Sequence, residues 1–81
     1  MEKRQIEKEL KNYFETEFPN PGLSLEPSTD LLSNFITDSL RVVSTVAFME
    51  SHFGIDITEN DIGIETFQDL NNLSDFISSK L

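Results

Sequence analysis

Cysteine is absent from this chain and histidine occurs once. Without cysteine neither a disulfide framework nor a thiolate metal site can form. A single histidine, His52, excludes a histidine-rich metal constellation and leaves any hydrolytic serine one candidate base. Glycine is also scarce, and Gly22, Gly54 and Gly63 stand singly, so there is no glycine-rich loop to cradle a phosphate. No apolar stretch has the length that a bilayer demands. Met1-Glu2-Lys3-Arg4-Gln5 is polar and leads into a charged segment rather than an apolar signal region, which makes cytoplasmic the expected location. In that setting the glycosylation pattern Asn72-Leu73-Ser74 carries no meaning.

Basic residues are few beyond the first segment. Up to Glu17 five acids stand against Lys3, Arg4, Lys8 and Lys11; after it ten acids face only Arg41 and Lys80, and the net charge of −9 arises almost wholly there. Such a surface repels phosphate backbones and anionic lipid heads, so nucleic acid and membrane partners are not expected, and partners with basic patches are. At 81 residues the chain reads as one domain over 1–81 with one modest core, too small for a deep catalytic cavity.

The apolar residues are spaced for helices. Ile6, Leu10, Tyr13, Phe14 and Phe18 recur at steps of three and four and predict a helix over about 2–18 with one buried stripe. Pro19, Pro21, Gly22 and Pro27 then impose an irregular connection to about Asp30, pinned across the bundle by Leu23, Leu25 and Leu31, which lets the first two helices lie antiparallel or steeply crossed. The second helix is expected over about 39–53, with Val42, Val46, Met49 and Phe53 in the core and Leu40, Val43 and Ala47 on another face. Gly54 ends it, and His52 in its last turn faces the negative end of the dipole. Thr58 with Asp61 predicts a single helical turn over about 59–62. Asp56, Thr58 and Asn60 are spaced like calcium ligands, but Asp61 stands where such a loop needs glycine and Phe67 where it needs glutamate. Phe67 should plug the core, and Asp69 should cap a last helix over about 70–80 that buries Leu70, Leu73, Phe76 and Ile77, with Leu81 beside them.

Asp38-Ser39-Leu40 is the most informative tripeptide. Asp38 is a good N-cap, and Ser39 in the first turn sits beside orphaned N–H groups at the positive end of the helix dipole, where an attached phosphodiester would be electrostatically favoured. A serine hydrolase is excluded, because His52 lies thirteen residues along the same helix, roughly 20 Å away.

Taken in order, the amphipathic first helix, the proline-containing loop, Thr37-Asp38-Ser39-Leu40, a helix ending in His52-Phe53-Gly54-Ile55, the short turn at Ile57–Ile62 and the segment Thr66–Leu73 resemble the acyl carrier and peptidyl carrier protein family over nearly the full length. One departure is Ile36, where members usually carry glycine. The resemblance implies an all-α fold, a small four-helix bundle of three longer helices and one short one. It implies covalent 4′-phosphopantetheine on Ser39, with Asp38 assisting attachment and Leu40, Arg41, Val43, Ser44 and Ala47 read by partners. Those partners would be a phosphopantetheinyl transferase, a ligase that loads an acyl or aminoacyl group, and downstream biosynthetic enzymes, acting on a freestanding, monomeric, non-enzymatic carrier. Carriers of the fatty acid synthesis type usually present several acids on the second helix; the matching positions here hold Arg41, Ser44 and Ser51, which points to a specialised pathway. The alternative is an acidic helical adaptor of the same architecture that is never pantetheinylated, favoured by Ile36.

Overall fold

Phe18 precedes Pro19, whose ring disfavours helical backbone in the residue before it, and there the first helix stops. In the computed structural model, which describes residues 1–81, α1 spans Lys3–Glu17, α2 Leu31–Asn34, α3 Ser39–Phe53 and α4 Leu70–Lys80, with a 3-10 turn at Glu59–Asp61 between α3 and α4. There are no strands. The fold is all-α with three long helices, as the resemblance implies, and α2 is an addition to the expected set. Asp30 builds it: its Oδ1 accepts from the N–H groups of Leu32 and Ser33 at 3.0 and 3.3 Å and so caps the turn. No helix is long and apolar enough to cross a membrane.

α1 buries Ile6, Leu10, Tyr13 and Phe14, and Phe18 is half-buried at its end. α4 lies against α1, and Lys3 Nζ reaches Asp75 at 3.0 Å across that contact. α3 meets α1 through side chains: Glu9 with His52, Tyr13 with Phe48, Phe18 with Arg41. As one helix advances the other recedes, so the two run antiparallel. The connecting loop is pinned by buried Leu25 and Leu31, with Leu23 half-buried beside them.

The buried line of α3 is Thr45, Met49 and Phe53. Val42 and Val46, expected in the core, are half-buried instead, because they line a shallow groove that opens between α3 and Ile62. Thr45 tolerates full burial because its hydroxyl donates to the Arg41 carbonyl at 2.7 Å, and Ser74 on α4 does the same to Leu70. Gly54 ends α3 at φ 67°, a left-handed conformation that glycine adopts without a Cβ penalty, and its N–H reaches the Glu50 carbonyl.

In the 3-10 turn the Asp61 carboxylate reaches back to the Thr58 N–H at 3.0 Å and also receives Lys80 at 2.9 Å, tying the turn to the end of α4. Asp69 caps α4 through the Asn72 N–H at 2.8 Å. Phe67, Leu70, Leu73 and Ile77 are buried and Phe76 half-buried; Leu81 is 57% exposed and lies outside the core, since the helix ends one residue before it.

Candidate functional site

Four residues, Phe35 to Asp38, join α2 to α3 and deliver Ser39 to the surface. Phe35 and Ile36 both direct their N–H groups to the Leu31 carbonyl, at 2.9 and 2.7 Å, and both side chains are buried. Ile36 thus joins the core. No residue other than glycine has positive φ, so this path does not require glycine at position 36.

Asp38 has extended backbone, and its Oδ1 accepts from the Arg41 N–H at 2.9 Å while Oδ2 makes no bond. The Asp38 carbonyl accepts from Val42. Ser39 is exposed as the first residue of α3, its hydroxyl unengaged and the N–H groups of Ser39 and Leu40 without acceptors. A phosphodiester on this hydroxyl would meet unpaired donors and the positive end of a fifteen-residue helix, with no core atom in its way. The residues present therefore fit a phosphate-linked group.

Leu40, Val43, Ser44 and Ala47 are all exposed, Leu40 at 80% and Val43 at 64%, and their spacing places them on one stripe that begins beside Ser39. Arg41 differs. It is half-buried, its Nη1 donates to the Phe35 carbonyl at 2.9 Å, and its guanidinium carbon stands 4.7 Å from the centre of the Phe18 ring. Glu50, the one acid on α3, is also turned inward, with Oε2 accepting from the Ile57 N–H at 3.1 Å. The exposed stripe of α3 from Leu40 to Ala47 is consequently uncharged and mostly apolar, with Ser44 its one polar side chain.

Two residues that periodicity did not single out extend this face. Ile62 and Ile64 are 42% and 75% exposed, and with Gly63, Leu32, Val42 and Phe67 they border a second shallow groove that shares Val42 and Ile62 with the one beside the stripe. The signal was a pair of isoleucines flanking a glycine outside any helical repeat. His52 is at the far end of α3, paired with Glu9 and stacked on Phe48, and takes no part in this site.

A family model described as a phosphopantetheine attachment site matches residues 8–77. No curated relative matches the chain. Because the match spans most of the sequence, the chain belongs to the phosphopantetheine attachment family of acyl and peptidyl carrier proteins, and its cofactor is 4′-phosphopantetheine.

Proposed function

We propose that Ser39 carries the 4′-phosphopantetheine and that the protein presents an acyl or aminoacyl group to partner enzymes of a specialised biosynthetic pathway. When bound, the arm supplies a terminal thiol on which that group is held as a thioester. The chain's own residues do the rest. Asp38 caps α3 and keeps Ser39 in the first turn, and its free Oδ2 is available to assist attachment. The unpaired N–H groups of Ser39 and Leu40 favour the phosphodiester charge. Leu40, Val43, Ser44 and Ala47 form the stripe that partners read, with Arg41 at its inner edge.

The observation that carries this reading is the exposed, unbonded Ser39 hydroxyl at the start of α3, at the head of an exposed apolar stripe. The test is intact mass after incubation with coenzyme A and a broad-specificity phosphopantetheinyl transferase. The wild type gains one phosphopantetheine; Ser39→Ala gains none and keeps its melting temperature, because an exposed first-turn residue contributes little to stability. An unmodified wild type, beside a control carrier labelled in the same tube, would overturn this reading in favour of the adaptor.

A further inference from the structure

Arg41 spends its charge in an unusual way. Ten acids follow Glu17, yet Arg41 forms no ion pair with any of them; the pairs in the structure are Lys3 with Asp75, His52 with Glu9, and Lys80 with Asp61. Its guanidinium instead turns back to the Phe35 carbonyl and the face of Phe18. That carbonyl lies just past the end of α2, where helical bonding has stopped, so the arginine satisfies an acceptor the short helix leaves behind. The ring belongs to the residue that ends α1.

One side chain thereby fastens three elements at a single point: the end of α1, the connection from α2, and the first turn of α3. Its backbone takes part as well, since the Arg41 N–H is the donor that Asp38 caps. The four residues before Ser39 are held at one end by the Leu31 carbonyl and at the other by the Asp38 cap, and Arg41 ties those two ends to each other.

We infer that Arg41 is a positioning residue: it holds the connection from Phe35 to Asp38 against Phe18 so that Ser39 is presented in a fixed orientation before any partner binds. This rests on Ser39 being the attachment site, but its first readout does not. In the unmodified protein, Arg41→Ala should speed hydrogen exchange of the Ile36 and Val42 amides relative to amides of α4. These two N–H groups bond within the fastened segment, to the Leu31 and Asp38 carbonyls.

The second readout is transfer of phosphopantetheine from coenzyme A. A turn that is ordered only part of the time binds more weakly in proportion to its competent fraction, so the variant should raise KM about three- to tenfold with kcat close to wild type. Arg41→Lys keeps a donor and a cation near the ring and should recover part of both effects.

Unchanged exchange and unchanged KM in Arg41→Ala would overturn the assignment. A raised KM with unchanged exchange would also overturn it, since the transferase would then be reading the arginine directly. Should Arg41→Ala fail to fold, Phe18→Leu decides, because it removes the ring face and retains apolar bulk; unchanged Ile36 exchange there overturns the clamp. A wild type that accepts no phosphopantetheine sinks Ser39 as the attachment site, while the exchange data still judge Arg41.

Discussion

Glu9 and His52, 43 positions apart in sequence, meet side chain to side chain where α1 and α3 run past each other. The Gln5 amide, donating to the Glu9 carboxylate at 2.9 Å, and then His52 hold the Glu9 carboxyl below its ordinary value of 4.5. A carboxylate whose pKa is depressed by folding contributes stability above the unfolded value and loses it as pH falls through the folded one. The melting-temperature gap between wild type and Glu9→Gln should therefore be complete above pH 4.5 and close as pH drops below it, where protonated Glu9 and glutamine carry the same charge. The gap is small, since the pair lies at the surface, where the His52 side chain is 42% exposed and solvent screens the charge. Thermal melts in low salt from pH 7 to about 3 check it. A gap that stayed constant through the acid range would mean that the carboxylate charge does not stabilise the fold.

Tyr13 bridges the same two helices at a cost. Its ring lies nearly parallel to Phe48 at 4.1 Å between centres, and Phe48 stacks in turn on His52 at 4.8 Å. Yet the Tyr13 hydroxyl is buried with no hydrogen-bond partner. A buried polar group left unpaired costs about 1–3 kcal/mol, and phenylalanine retains the stack without it. Tyr13→Phe should stabilise the protein by about 1 kcal/mol, a rise of about 4–8 °C in a domain of this size. Calorimetry decides, and a destabilised variant would show that the hydroxyl is satisfied.

What could be read from the sequence were the features written locally. The stripe of Ile6, Leu10 and Phe14, the stop at Pro19, the caps Asp38 and Asp69, the reach of Asp61 back to Thr58 and the left-handed Gly54 depend on residues a few positions apart, and each stands as expected. α2 escaped because four residues are too few to show a period, although Asp30 two positions before Leu32 was its signal. Polarity hid Thr45 and Ser74, whose hydroxyls bond to carbonyls of their own helices and so enter the core. At the candidate site the order Asp38, Ser39, Leu40 was plain. The inward turn of Arg41 and the burial of Ile36 depend on tertiary neighbours that no spacing encodes.

The two faces of α3 should respond differently to truncation. Phe53 is 8% exposed and part of the core, whereas Leu40 is 80% exposed. Phe53→Ala should cost about 3 kcal/mol or more, a large fraction of what so small a domain possesses. Leu40→Ala should stay within about 0.5 kcal/mol. Urea titrations of both variants measure this, and equal midpoints would show that the buried side of α3 has been misidentified.

The neutral face of α3 leads to the prediction that bears most on pathway. Partner enzymes with basic patches find their carriers through charge, and such complementarity acts mainly on encounter rate and on rejection of wrong partners. Here Leu40, Val43, Ser44, Ala47 and Ser51 are exposed and uncharged, and Glu50 is turned to the Ile57 N–H. The acids of the later part, Asp56, Glu59, Asp61, Glu65, Asp69 and Asp75, lie outside this helix, and Asp61 is engaged by Lys80. Enzymes tuned to an acidic helix should thus elongate an acyl chain on this protein at least about tenfold more slowly than on a standard fatty acid carrier, with the loss in KM. Introducing acids by Ser44→Glu and Ser51→Glu should recover part of the rate, and added salt should abolish the recovery by screening. Arg41 is left intact in this comparison so that the presentation of Ser39 is unchanged. Elongation of the unsubstituted protein at the standard carrier's rate would show that the missing acids are irrelevant and would return the protein to general fatty acid synthesis.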